Sequence, residues 1–407
     1  MSVTVTATAP LSPVSRTTSK PRRIESIDLL RGIVMILMAL DHARDYFNRD
    51  AYLYDPTDMT QTNDFLFFTR WVTHFCAPIF MFLAGTAAFL YGVKKGPKAA
   101  SFFLLTRGAW LIFVELFIVT VGWTFNVHFT FYILQVIWAF GVAMIILSAL
   151  IQLPRTAQLF IAIALIGGHN LLDGVHVAGN GLPAVTWSFL HEFHFFGYPN
   201  FSFVIGYPIL PWAGLITLGY YLGGLYAPDI APHRRKKMLT RLGIAFIAGF
   251  LVIRAINHYG DPNPWSTAHH PFLSFFNVTK YPPSLDYILM TIGPALLFLA
   301  FAERPLNAFT SKLALYGRVP FFYYLIHIYI LHGLAVIAAM LQGHPAADMI
   351  NFTNWVTANP QLKGYGFDLG VVYGVWLIVV IALYPLCKWF DGYKRAHVAQ
   401  KPWLSYL

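Results

Sequence analysis

SIDLLRGIVMILMALDHARDYF, Ser26 to Phe47, is an apolar run of helix length with Asp28 and Arg31 near one end and Asp41, His42, Arg44 and Asp45 at the other. An ionisable side chain at membrane depth costs about 2.5 to 3.5 kcal/mol on insertion scales, so six on one segment mark a helix that carries chemistry rather than an anchor alone. Positions three or four apart are neighbours on a helix, so Asp41 faces Arg44 and His42 faces Asp45. A carboxylate at that spacing fixes the tautomer of His42 and raises its basicity, the arrangement of a general base. An ion cluster that only closes the helix end is the competing account. Arg31 precedes His42 by eleven residues, roughly 16 Å at 1.5 Å per residue, so one helix offers a cation at one level and a base at another. Pairing of Arg31 with Asp28, with its head snorkelling to the surface, is the alternative.

Outward from this segment, 57% of the 407 residues are hydrophobic and only 11% are charged, which excludes a soluble globule. A spanning helix needs about 20 predominantly apolar residues. Runs near 27–47, 65–92, 99–123, 129–152, 156–173, 207–227, 239–258, 284–302, 316–341 and 368–389 predict an all-α polytopic bundle of about ten spans. Basic residues stay on the cytoplasmic side of short loops. With the N-terminus inside, only Arg44, Arg49, Arg70, Arg254, Lys280 and Lys363 of the 28 Lys and Arg fall in the outer half, so both termini are expected in the cytoplasm. The net charge of +10 is spread over short loops rather than one face, which points to topology and lipid headgroups and away from nucleic acid. Residues 1–25 read as a disordered basic tail without a signal peptide, 26–392 as the membrane domain and 393–407 as a cytoplasmic tail. Short loops lean towards a bacterial inner membrane. Cys76 and Cys387 fall inside spans and form neither a disulfide framework nor a metal spacing.

Arg70 and His74 share a face of the second span, and Pro78, four further on, removes an N–H and frees a carbonyl. A ligand site there competes with a helix-packing role. In the ninth span Tyr323 and Tyr324 precede His327, so phenols beside an intramembrane imidazole build a buried network or line a tunnel. Thirteen of the 15 histidines, all but His233 and His397, fall at mid-membrane or beyond. Longer outer segments lie near 48–64, 174–206, 259–283 and 343–367. The second of these, with Trp187, His191, Glu192, His194, Phe195, Phe196 and Tyr198, suits either a lid or an interfacial aromatic belt. His191, Glu192 and His194 lack further ligands at zinc spacing, and His327 and His332 do not share a face, so no metal is expected.

Five motifs in order carry a resemblance over nearly the whole chain from residue 23: Ser26-Ile-Asp-x-x-Arg31-Gly32; Pro78 with Gly85; Tyr207-Pro-x-x-Pro-Trp212-x-Gly214; Lys280-Tyr-Pro-Pro-Ser-x-Asp286; and Gly317-Arg-x-Pro-Phe-Phe-Tyr-Tyr-x-x-His327. In these the chain resembles the multispan acyltransferases whose catalytic domain is named after heparan-alpha-glucosaminide N-acetyltransferase. Its first span also looks like that of the broader membrane O-acyltransferases, where Arg is followed eleven residues later by His. The resemblance implies transfer of an acyl, and most simply an acetyl, group from cytoplasmic acyl-CoA to a sugar hydroxyl or amine at the outer face. It also implies a tunnel for the pantetheine arm. In the lysosomal enzyme an Asn stands where His42 is here and the catalytic His follows in the next loop, but residues 43–64 here contain no His.

The resulting expectation is a catalytic group of His42, Asp45, Asp41 and His74. Asp28, Arg31, Arg44, Arg70, Tyr323 and His327 would bind substrate and acyl-CoA. CoA phosphates would meet Arg31 and the loops at 94–98 or 234–241, and His74 or Arg70 would stabilise the oxyanion. The partners are the lipid bilayer and a glycan or other polar acceptor, with self-association left open. A proton-coupled transporter of a small polar or lipid-linked solute is the alternative, against which stands the absence of internal symmetry.

Overall fold

The computed structural model describes residues 24–406, so the tail expected over 1–25 lies, up to residue 23, outside the described residues. The chain is 70% helical with little strand. Its helices are α1 (Glu25–Phe47), α2 (Asp64–Thr73), α3 (Cys76–Lys95), α4 (Pro97–Val114), α5 (Thr120–Thr124), α6 (Val136–Leu150), α7 (Arg155–Gly168) and α8 (Leu182–Leu190). They continue as α9 (Ile209–Gly223), α10 (Pro232–Ile256), α11 (Pro271–Phe276), α12 (Leu285–Phe301), α13 (Ala308–Arg318), α14 (Pro320–Leu341) and α15 (Leu369–His397).

All ten apolar stretches contain helix, yet among the described residues only five stretches are long and apolar enough to cross a membrane: Asp64–Lys95, Pro97–Thr124, Pro232–Ile256, Pro320–Leu341 and Leu369–His397. Helices α6, α7, α9 and α12 have 15, 14, 15 and 17 residues, which at 1.5 Å each fall short of the roughly 30 Å hydrocarbon layer. Apolar sequence is therefore spent on internal packing as well as on lipid. In α9, Ile209 and Pro211 to Tyr220 are all buried, the pattern of a helix that is apolar all round because other helices surround it.

The site-bearing α1 is held against α13, α14, α15 and α3. Its crossing with α13 is backbone on backbone: a Cβ added to Gly32 would stand 2.0 Å from the Leu313 carbonyl oxygen, and one on Gly317 1.9 Å from that of Asp28. Those glycines belong to the first and last of the five motifs, so the motifs record a helix contact. The α3–α9 crossing uses Gly85 and Gly219 in the same way, each Cβ position lying 2.0 Å from a carbonyl oxygen of the other helix.

Three features refine the sequence reading. The fold is not purely helical: β1 (Phe131–Leu134) pairs in parallel with β3 (Ser202–Ile205), which pairs antiparallel with β2 (His194–Gly197). The segment 174–206 thus folds into α8 and a hairpin, because its aromatic and β-branched residues pair across strands. The second span breaks at His74–Phe75, between α2 and α3, ahead of Pro78. The carbonyl that Pro78 frees is that of His74, and the Tyr287 hydroxyl donates to it at 2.7 Å. Lastly, α15 continues past residue 392 to His397, and Pro402–Tyr406 forms a turn on α4, with Arg107 Nη1 donating to the Ser405 carbonyl at 2.7 Å. Residues 393–406 thus hold helix and a 3-10 turn, with Leu404 buried.

Candidate functional site

The far end of α1 carries the ionisable cluster. Asp41 accepts from Arg70 Nη1 at 2.9 and 2.8 Å and from Thr73 Oγ1 at 2.8 Å, with Arg44 Nη2 at 2.9 Å and Lys280 Nζ at 3.9 Å. The expected Asp41–Arg44 pair is formed. The expected His42–Asp45 pair is not: Asp45 accepts from Arg44 at 2.5 Å, and His42 turns the other way. The reason is tertiary. A second cation, Arg70 from α2, satisfies Asp41, which leaves Arg44 to bridge to Asp45. His42 meets α14 instead.

There its Nδ1 lies 2.7 Å from Nε2 of His327, the two rings stacked with centroids 4.9 Å apart. His327 is fully buried, and its Nδ1 lies 2.9 Å from the Tyr323 carbonyl. A carbonyl only accepts, so His327 carries its proton on Nδ1 and presents a lone pair at Nε2. His42 must then donate from Nδ1, and its Nε2 is left with an open lone pair and no hydrogen-bond partner among the described residues. Histidine thus orients histidine, the job expected of Asp45. The ring of Tyr323 stacks on His327 at 5.0 Å, and its contribution to the network is its backbone carbonyl rather than its phenol.

Two donors stand beside His42: Trp123, which sequence reading did not single out, and Tyr324, which it placed beside His327. The Trp123 ring lies 4.8 Å from it, edge on, and the Tyr324 ring 6.1 Å from it. Trp123 and the Tyr324 hydroxyl face each other and have no other hydrogen-bond partner among the described residues, and Nε and Nη1 of Arg44 are buried with none. Unsatisfied buried donors are costly and rare, and a site that binds a polar reactant is one place where they are retained. Arg70 is committed to Asp41, whereas His74, 3% exposed, packs edge on against Tyr287 at 5.4 Å with Nδ1 unpaired.

A cavity of about 380 Å³ lies towards the opposite end of α1 and ends short of this group, since neither His42 nor His327 is among its lining residues. Its wall includes Arg31, Arg107, Arg318 and Lys394 together with Met35, Met38, Phe140 and Tyr324. Met38 is one helical turn from His42, and Tyr324 touches the dyad, so the cavity runs from four cations to the neighbourhood of the imidazole pair. Arg31 also keeps its expected pairing, 3.9 Å from Asp28. The loops at 94–98 and 234–241, expected to supply cations, do not line the cavity; Arg235 instead pairs with Glu303 at 2.5 Å. Arg107, Arg318 and Lys394 replace them, because α4, α13 and α15 end or pass beside the start of α1. No local signal in the sequence marks that meeting.

Residues 23–251 match the catalytic-domain family of heparan-alpha-glucosaminide N-acetyltransferase. The chain belongs to this family. Membership makes it an integral membrane protein of an acetyltransferase family and lends nothing to the transporter alternative. A comparison with curated proteins gave no match. The matched region includes α1, Arg70, His74 and Arg107, whereas His327, Arg318 and Lys394 lie beyond its end.

Proposed function

We propose that this acetyltransferase takes an acetyl group from acetyl-CoA bound at the four-cation end of the cavity. It would hand that group to a hydroxyl or amine, on a glycan, held beside His42 and Arg44. The carrying observation is the His42–His327 pair, whose oriented tautomer leaves the Nε2 lone pair open near the end of a cavity that begins at Arg31, Arg107, Arg318 and Lys394.

In this reading the cations hold the CoA phosphates by charge-assisted hydrogen bonds, and the apolar wall excludes water from the thioester. His42 Nε2 removes the proton of the acceptor as its oxygen or nitrogen attacks the carbonyl carbon. Positive charge on the His42 ring is shared with His327 through the Nδ1–H···Nε2 bond. Trp123 Nε1–H and the Tyr324 hydroxyl are the donors available to the developing oxyanion, in place of Arg70. The tetrahedral adduct collapses with loss of the CoA thiolate, which takes the proton back from His42. Asp41 and Asp45 hold Arg44 in place, and its two unpaired N–H groups bind the acceptor. Both termini face the cytoplasm in this scheme, since the basic residues and the CoA supply then share a side, and a bacterial inner membrane fits the short connections.

The test is CoA release by membranes holding His42→Ala at wild-type protein level. Loss of release supports the role of His42, and unchanged turnover rejects it.

A further inference from the structure

Away from the His42 site, His169, Asp173 and His191 come together, one ligand atom of each lying within 4.8 Å of the other two. His169 and Asp173 sit on and just after the single turn His169–Leu172 that follows α7, and His191 directly follows α8. We infer that these three side chains bind a divalent first-row transition ion, with zinc the best match, and that the ion fastens the outer segment 174–206 to the end of α7.

The donor set is two imidazoles and a carboxylate, the nitrogen and oxygen ligands that zinc takes in sites with one position open to water. His191 Nε2 and Asp173 Oδ1 are 3.1 Å apart. Two ligands each about 2.0 to 2.1 Å from a tetrahedral ion stand about 3.3 Å apart, so this pair is already at ligand spacing. An ion pair between His191 and Asp173 would account for that distance alone, but not for His169. That side chain is only 2% exposed, and neither ring nitrogen makes a well-formed hydrogen bond to a described residue, the Pro283 carbonyl being the backbone acceptor beside it. A neutral imidazole carries one N–H and one lone pair; the carbonyl can take only the N–H, so the lone pair of the other nitrogen is stranded in the interior unless a ligand takes it. The carboxylate is oriented from behind, since Asn170 Nδ2 donates to Asp173 Oδ2 at 2.8 Å and leaves Oδ1 for the ion. Asn170 Oδ1 in turn accepts from the backbone N–H of Leu285, so the site is tied to the start of α12.

This arrangement explains why the sequence pointed away from a metal. The sequence neighbours of His191, Glu192 and His194, face elsewhere: Glu192 pairs with His176 at 2.9 Å and His194 packs on Phe196 at 4.5 Å. The real partners of His191 come from 18 and 22 residues earlier in the chain.

The experiment uses the full chain in detergent, purified by a tag without histidine, stripped with EDTA and titrated with Zn²⁺ and with Co²⁺ alone. The expected result is one equivalent bound, a visible Co²⁺ spectrum of tetrahedral character and a raised unfolding temperature. His169→Ala and Asp173→Asn should weaken binding by at least about 10-fold, the lower bound for disturbing even a supporting residue. Glu192→Gln should bind as wild type. His191→Cys keeps a ligand and should add a thiolate-to-cobalt charge-transfer band, which guards against a variant that merely unfolds. Absence of stoichiometric binding by the wild type overturns the inference, as does full binding by a monodisperse His169→Ala. Neither readout depends on acyl transfer.

Discussion

Replacing His327 by Phe is the sharpest probe of the imidazole pair. Phe keeps the ring that stacks on Tyr323 at 5.0 Å but removes the Nε2 that sits 2.7 Å from His42 Nδ1. The His42 N–H then lies buried without an acceptor, a penalty of about 1 to 3 kcal/mol. At 1.4 kcal/mol per decade, that reduces the population of the productive tautomer about 5- to 150-fold. His42→Ala removes the base outright and should cost about 10²- to 10⁴-fold. Because His327 is argued to act only through His42, the double variant should be no slower than His42→Ala alone. The assay is thiol release from acetyl-CoA in membranes presenting envelope glycans, normalised to folded protein by fluorescence-detected size exclusion. Two outcomes would refute the reasoning: His327→Phe at wild-type rate, or a double variant slower than His42→Ala by the full His327→Phe factor.

Other perturbations address the frame and the donor end. Arg107→Gln removes a cavity-lining cation whose described hydrogen bond is to the Ser405 carbonyl. Losing one hydrogen bond to a charged phosphate is worth about 1.5 to 3 kcal/mol, so acetyl-CoA affinity by calorimetry should fall about 10- to 150-fold, and an unchanged Kd would remove Arg107 from the donor site. Tyr287→Phe leaves the carbonyl that Pro78 frees at His74 without its donor. Unfolding in detergent should show a loss of about 1 kcal/mol, and no loss would mean that water or a neighbour takes over. Gly317→Ala drives a methyl into the Asp28 carbonyl at 1.9 Å and should destabilise by about 1 to 3 kcal/mol, whereas Gly374→Ala, with nothing within 4 Å, should be silent. Equal melting of the two variants would contradict the close α1–α13 crossing.

Much of α1 was legible before any coordinates. Its i,i+3 spacing placed Arg44 on Asp41 and Arg31 beside Asp28, since helix periodicity alone sets those neighbours. The same rule failed for His42, because a side chain with two equally spaced neighbours goes to whichever partner the rest of the fold leaves free. Arg70 relieved Arg44 of part of Asp41, Arg44 took Asp45, and His327 arrived from 285 residues away. The cavity cations show the same limit. Arg31 stood out as a charge in an apolar run, while Arg107, Arg318 and Lys394 read as ordinary topology signals until α4, α13 and α15 brought them to one wall.

Sequence alone thus determined that this chain lives in a membrane, that it is helical, which family it resembles and which helix gathers the ionisable residues. Each of these follows from composition, from a 3.6-residue period or from ordered local motifs. Tertiary structure decided which imidazole orients His42, which cations meet one cavity and that His169, Asp173 and His191 converge. Those are pairings between residues far apart in the chain, and they depend on how helices cross. At Gly32 and Gly317 that crossing is set by backbone contact, and contact between distant segments leaves no periodic trace in the sequence that makes it.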